Sequence, residues 1–451
     1  MQNPMNRFKM IRDINIYIGK QKLTSMLMWG IKKITSGLYI SITATIFYIV
    51  NNFNNLFSLE GIIPVIIAYS INLINYMIAL ADKKEIEVLK HGDDLTNIKI
   101  NSIYRQNEYE IQIHNIEKGN KINKNISREY YIVSQKINNI LISLDERNED
   151  ISLFREKTYE DELRKDIKSK WNQLSMLLKW KYDESIKSNK LFKNEKKLCL
   201  TESLLENRLL QSKKIGIHKG DYYTNYITNI LSGRTVVDKI SGKKISNTVT
   251  DMFPKNIDNE MLNLEDSKMC NEIGISTIVI YMDKHGNYHI PFPRQNSRNQ
   301  VGSGLIISSA TGGADFSDIT KDALLGSIKY SMERELHEEL YKHVEINKFK
   351  SNVYTVVTGF HRWINHGGKP EFTGVTFLYG DHLFNPASAE LEKDTMVLAP
   401  SDKFDIKNTL ISFIKKHEDI SLSGYRAIEN LVSFIEKHEQ YFLSKLPEPQ
   451  N

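Results

Sequence analysis

Between Ile34 and Leu59, and again between Gly61 and Ala81, the chain carries no charged side chain, although 25% of its 451 residues are charged. A helix that crosses the hydrocarbon of a bilayer needs about 20 predominantly apolar residues. The second stretch meets that requirement, and the first keeps its apolar character to about Val50. Together they predict two transmembrane helices, at about 34–53 and 61–81. A cleaved signal peptide does not fit, because the basic lead is too long and a second span follows. The connection Asn51–Glu60 has no Lys or Arg, whereas Lys32-Lys33 and Lys83-Lys84 flank the pair. The positive-inside rule then places both termini in the cytoplasm and makes 34–81 a two-helix, multi-pass hairpin in the cell membrane.

One face of each span is small or polar. Gly37, Ser41 and Thr45 recur along the first span, and Ala68, Asn72, Asn75 and Ala79 along the second. Such faces let helices approach closely and hydrogen-bond across the contact, which predicts a homo-oligomer in the membrane. Ordinary helix packing explains the pattern, and so does a pore-lining face. Ahead of the spans, residues 1–33 form a basic N-terminus in which Leu23, Met26, Leu27, Ile31 and Ile34 keep helical spacing. That segment is either an interfacial helix against membrane lipid or a plain cytoplasmic lead-in.

Beyond the spans the composition is that of a soluble chain. A net charge of +5 from 60 basic and 55 acidic residues predicts no direct binding to a DNA or RNA duplex. Two cysteines, Cys199 and Cys270, make an unlikely disulfide framework and suit a reducing cytosol. Residues 82–215 read as a mainly helical connector: Leu163, Ile167, Trp171, Leu174, Leu178, Tyr182 and Ile186 hold helical spacing, as do Val133, Ile137, Ile140 and Leu144. Ile98/Ile100 and Tyr109/Ile111/Ile113 alternate instead, which predicts a small hairpin near 97–117.

From 216 to 451 the pattern is α+β. Ile275–Tyr281 and Tyr288–Phe292 flank a turn-rich Asp283–Asn287, and Val353–Thr358 and Phe372–Tyr379 flank Asn365–Pro370. Thr311-Gly312-Gly313 reads as a break, and Ile406–Lys416 and Leu422–His438 as closing helices. Between them Leu325, Ile328, Met332, Leu336, Leu340 and Val344 mark the buried face of a helix. Glu335, Glu338 and Glu339 share a flank of that helix, with Arg334 one turn from Glu338. Carboxylates at this spacing repel one another. A hard divalent cation such as Mg2+ or Mn2+ would relieve the repulsion; a solvated charged face is the plainer reading.

Strand, Gly-Gly, helix with Arg334-Glu335-Leu336-His337-Glu338-Glu339, strand resembles the Nudix fold over residues 270–400. Gly326 stands where the family's box has its first glutamate, and Tyr341 where it has its last glycine. The stretch from Gly313 to Arg334 is about seven residues longer than the family spacing. The resemblance implies that Glu335, Glu338 and Glu339 hold metal against a diphosphate, that Arg334 orients them, and that Glu338 or Glu339 serves catalysis by activating water. Glu371 is a further candidate ligand. Gly313, Arg294, Arg298 and Arg362 are candidate phosphate contacts, and Phe360 and Trp363 candidate base stackers.

Two spans, a connector and a Nudix-like domain resemble the two-transmembrane Nudix effectors of bacterial cyclic-oligonucleotide-based antiphage signalling. That implies a domain sensing a cyclic oligonucleotide second messenger and a hairpin disrupting the inner membrane, with death of the infected cell as the output. The competing expectation is a membrane-anchored, Mg-dependent hydrolase of a nucleoside diphosphate derivative. The altered first half of the box favours sensing.

Overall fold

The computed structural model describes residues 86–88, 93–118, 125–187, 192–232, 234, 236–239, 242–244, 253–295, 304–379, 395–400 and 402–448. The basic N-terminus, both expected spans and Arg298 lie outside the described residues. Among the described residues no helix is long and apolar enough to cross a membrane.

The chain divides into two compact units, one of 1–90, 165–183 and 235–248, the other of 91–164, 184–234 and 249–451. In the first, Ile86–Val88 pairs antiparallel with Val236–Asp238. The second carries the glutamate helix and its flanking strands.

Its elements, in chain order, are β1 (Glu110–Lys118), β2 (Asn125–Val133), α1 (Gln135–Glu146), β3 (Ser152–Arg155), β4 (Lys196–Leu200), β5 (Lys214–Asp221), β6 (Gly274–Met282), β7 (Tyr288–Phe292), β8 (Ala310–Gly313), α2 (Leu324–Leu340), β9 (Val353–Trp363), β10 (Lys369–Leu378), β11 (Met396–Leu398), α3 (Ile406–Lys416) and α4 (Leu422–Lys437). The large sheet runs β11-β7-β6-β10-β9-β2-β1, with β8 on β6; a small sheet runs β3-β5-β4. In the large sheet only β6 and β10 are parallel neighbours.

Both faces of the central strands are covered, so β6 is buried without interruption from Gly274 to Tyr281. Ile278 and Ile280 pack with Ile428, Leu431 and Phe434 of α4 on one face. Val279 and Tyr281 pack with Leu336 and Leu340 of α2 on the other. The α+β reading of 216–451 and the buried face of α2 follow the sequence pattern.

Two sequence expectations need correction. The boundary at 216 is not a structural one, because β1 and β2 extend the same sheet as β9. Val133 ends a strand rather than sharing the helix of Ile137, Ile140 and Leu144, and α1 starts after it with Ser134 as its cap. The hairpin expected near 97–117 is displaced to 110–133. The second correction concerns Thr311-Gly312-Gly313, which is not a break but most of β8, paired to Ser276, Ile275 and Gly274.

The edge that β9 leaves open beyond β2 is closed by side chains. Asn138 of α1 accepts from Phe360 N at 2.8 Å, and Asp145 from Val357 N at 3.1 Å. A β-bulge between Val357 and Gly359 lies within this stretch. Asp145 also pairs with Lys329 of α2, so α1 joins the sheet edge to the site helix. The start of α2 is held by Asp150, which accepts from Leu325 N at 2.8 Å and Gly326 N at 2.9 Å. An N-terminus without a capping residue of its own thus borrows one.

One buried group makes the fold acid-sensitive. His361 lies in β9 opposite Glu371 and Val133, fully buried, with neither ring nitrogen hydrogen-bonded among the described residues. Burial, then Arg426 of α4 and Lys369 of β10, push its pKa well below 6.5. The unfolded state therefore takes up a proton below pH 6.5 that the folded state refuses, and stability falls as pH falls. The cost is at most about 1.4 kcal/mol per pH unit. Urea melts of wild type and His361→Leu at pH 7 and 5.5 check this. The variant is expected to lose less stability over that interval, and equal losses would refute the assignment.

Candidate metal and phosphate site

The site is built where β8 ends against the last turns of α2. Successive strand residues face opposite sides of a sheet, and both glycines leave room that carboxylates fill. A Cβ on Gly312 would lie 2.5 Å from the Glu335 carboxyl carbon, and one on Gly313 would collide with Glu272. One carboxylate thus lies on each side of the glycine pair. Glu339, almost fully buried, accepts from Thr311 N at 3.3 Å. The side chain of Glu338, one turn from Arg334, is 53% exposed and lies 3.5 Å from Arg334 Nη1.

Arg334 is immobilised rather than available. Its Nε donates to Asp318 at 3.1 and 3.2 Å, and Nη2 donates to Asp318 at 3.0 Å and to the Gly313 carbonyl at 3.2 Å. Nη1 donates to Glu335 Oε1 at 2.9 Å. Burial alone would lower its pKa, but Glu335, Asp318 and Asp315 together raise it. Burial pushes the Glu335 carboxyl up to about 7, against the pull of Arg334 and Lys197.

A second group of charges continues beyond Gly313. Lys197 of β4 donates to Asp315 at 2.7 Å and to Glu195 at 3.1 Å. Lys369 donates to Glu371 at 2.6 Å, both buried in the space left by the missing side chain of Gly274. Burial raises the pKa of Glu272 against the pull of Lys369 and Lys197.

Of the residues singled out in sequence, Arg334, Glu335, Glu338, Glu339 and Gly313 come together. Glu371 lies on the Lys369 side of the glycines. The others are used elsewhere. Arg362 is 1% exposed, donating to Gly368 O and Leu262 O at 2.9 Å and to Tyr104. Arg294 pairs with Asp419 at 2.7 Å. Phe360 is buried against Phe372, and Trp363 donates to Glu129 at 2.9 Å with its ring on His366. Arg362 and Phe360 are closed to phosphate or base by burial, and the partly exposed Arg294 and Trp363 are committed to Asp419 and Glu129.

Asp318, Lys197 and Glu272 were not singled out. Asp318 had a signal: Asp315-Phe-Ser-Asp318 has capping-box spacing, and both halves of that box are present. Lys197 had none, because its strand lies within the stretch read as connector.

Glu335, Glu338 and Glu339 supply the oxygen chemistry that a hard divalent cation takes, beside a glycine cradle that only a missing Cβ allows. Their carboxylate oxygens do not all lie within 4.8 Å of one another, so a shared ion would draw them together. Glu272 Oε2, buried without a hydrogen-bond partner among the described residues, offers one more acceptor beside it.

No family model matches the chain, and no curated protein does. Solved structures show limited likeness. DR0079 from Deinococcus radiodurans is 16% identical over 36% of this chain and 81% of its own, with a TM-score of 0.24. The Nudix hydrolase RenU from M. smegmatis is 12% identical over 37% and 86%, at 0.25. A Nudix hydrolase from Alicyclobacillus acidocaldarius is 13% identical over 39% and 97%, at 0.26. At such scores the likeness carries no functional argument, and the site stands on this chain's own geometry.

Proposed function

We propose that the chain is a membrane effector whose Nudix-like α+β domain senses a cyclic oligonucleotide. Glu335, Glu338 and Glu339 hold Mg2+ or Mn2+ against the ligand's phosphates. Residues 34–81 form a hairpin, with both termini cytoplasmic, that disrupts the bacterial inner membrane when ligand binds. The output is death of an infected cell, and the hairpin faces make the working form a homo-oligomer.

The observation that carries the reading is the seating of Glu335 beside Gly312 and of Glu339 on Thr311 N, with the exposed Glu338 on the same flank one turn from Arg334. Two features support sensing over turnover. Position 326 has no side chain, and its backbone is fastened to Asp150, so the box's first carboxylate has no substitute there. Arg334 is consumed by Asp318 and Glu335 and serves as a brace.

Calorimetric titration of the full chain in detergent with cyclic di- and trinucleotides, with and without Mg2+, tests the proposal. Binding that needs Mg2+ and leaves the nucleotide intact is expected. Mg2+-dependent release of phosphate or nucleoside monophosphate would instead make the protein a membrane-anchored hydrolase. Cells making the effector and a cognate synthase should depolarise; an intact membrane with ligand bound would remove the hairpin's assigned role.

A further inference from the structure

A second cluster, two residues along β4 from Lys197, supplies no ligand to the charged site. Cys199 of β4 is in register with His218 of β5, and residues directly opposite in an antiparallel pair present side chains to the same face. Cys270, in the segment leading into β6, completes the group: its Sγ is 3.6 Å from that of Cys199. Two sulfurs and one imidazole nitrogen all lie within 4.8 Å of one another. These are the chain's 2 cysteines, and all three side chains are at most 1% exposed.

The surroundings are those of a ligand set rather than of inert core. His218 Nε2 is 2.8 Å from the Cys270 carbonyl, which fixes Nε2 as the donor and leaves Nδ1 a bare lone pair. Metal-binding histidines are oriented by this kind of bond from the other ring nitrogen. Nδ1 has no hydrogen-bond partner among the described residues, an uncompensated cost for a buried polar atom. Gly220, two residues along β5 from His218, keeps the space open: a Cβ there would collide with both sulfurs. Two thiolates bound to one tetrahedral Zn2+, at about 2.3 Å each, are about 3.8 Å apart. The observed 3.6 Å is near that edge and far from the ~2.05 Å of a disulfide.

We propose that Cys199, His218 and Cys270 bind one thiophilic d10 cation, Zn2+ or Cu+. On binding, each thiol loses its proton to solvent, the two thiolates and the neutral imidazole donate lone pairs to the metal, and no electron is transferred. Three protein ligands suffice for trigonal Cu+ and leave Zn2+ one further position. The site braces the charged centre. Cys199 stands two residues after Lys197 on the same strand face, and Cys270 two before Glu272, so one metal ties together the segments that deliver both.

The test is the metal content of the full chain, purified in detergent with reductant and without chelator. About one zinc or copper per chain is expected, which element decides between the two cations, and Cys270→Ser and His218→Gln should each lose most of it. To keep the test independent of how those variants fold, wild type stripped by a chelator is retitrated with Zn2+ and separately with Cu+. Uptake of about one equivalent, a higher melting temperature and roughly ten-fold slower alkylation of both cysteines are expected. The proposal is overturned if wild type is metal-free and takes up neither ion. Retention of the metal by folded Cys270→Ser, or a Cys199–Cys270 disulfide in protein alkylated before lysis, overturns it equally.

Discussion

Asp318→Ala is expected to cost about 3–5 kcal/mol of stability, the range seen when one partner of a buried ion pair is removed. The side chain of Asp318 is only 2% exposed. Besides its bonds to Arg334 it accepts from Ser331 Oγ at 2.8 Å and from Asp315 N at 2.9 Å. Alanine strands those donors together with a guanidinium that lies mostly out of solvent. Asp318→Asn keeps the shape and one acceptor, so its loss should be smaller. Denaturant unfolding of the metal-free protein measures both, with midpoint and slope reported separately. A loss under 1 kcal/mol for the alanine variant would mean that Arg334 finds equal partners elsewhere and that the clamp is incidental. The same substitution should weaken Mg2+-dependent ligand binding, because a released Arg334 can neutralise Glu335 and Glu338.

How Arg334 came to be clamped from position 318 marks the limit of what the sequence discloses. The glutamate helix was legible, since its apolar spacing and its acidic flank are both local patterns on one element. Strands β6 and β7 were legible for the same reason, β6 as a β-branched run and β7 from the turn residues Asp283–Asn287 that separate the two. Assignments that depend on long-range contact were not. Lys197 reaches the site from a strand more than a hundred residues before the helix, and β1 and β2 join the sheet across a still longer separation. Neither leaves a periodicity that points to its destination. Arg362 and Arg294 illustrate the converse. Residue type alone made them phosphate candidates, whereas Arg362 is buried against backbone carbonyls and Arg294 is committed to Asp419. Gly312 and Gly313 were read as a break because glycine weakens strands, yet a glycine in a strand also marks close approach by another group. Here that group is a carboxylate on each side.

Glu335→Gln separates the binding role of that carboxylate from its structural one. Glutamine keeps the shape and can still accept from Arg334 Nη1, so the fold should persist. It cannot supply a charged ligand to a divalent cation, so Mg2+-dependent affinity for the cyclic nucleotide should fall by roughly 100-fold, about 2.7 kcal/mol. Glu338→Gln, with no buried contact to disturb, should weaken binding while leaving melting temperature unchanged. In chelator, without metal, the Glu335 substitution has the opposite consequence for stability. The carboxyl pKa is raised by burial to about 7, so the folded state holds a proton that the unfolded state has released above about pH 4.5. The contribution of Glu335 to wild-type stability must therefore fall as pH rises from about 4.5 to 7, by up to about 3 kcal/mol, opposite in sign to that of His361. Glu335→Gln lacks that decline and should match or exceed wild type above pH 7. Adding Mg2+ at pH 8 should then stabilise wild type and leave the variant unaffected. Should Glu335→Gln bind the nucleotide as tightly as wild type in Mg2+, the cation does not rest on this carboxylate and the assigned site is wrong.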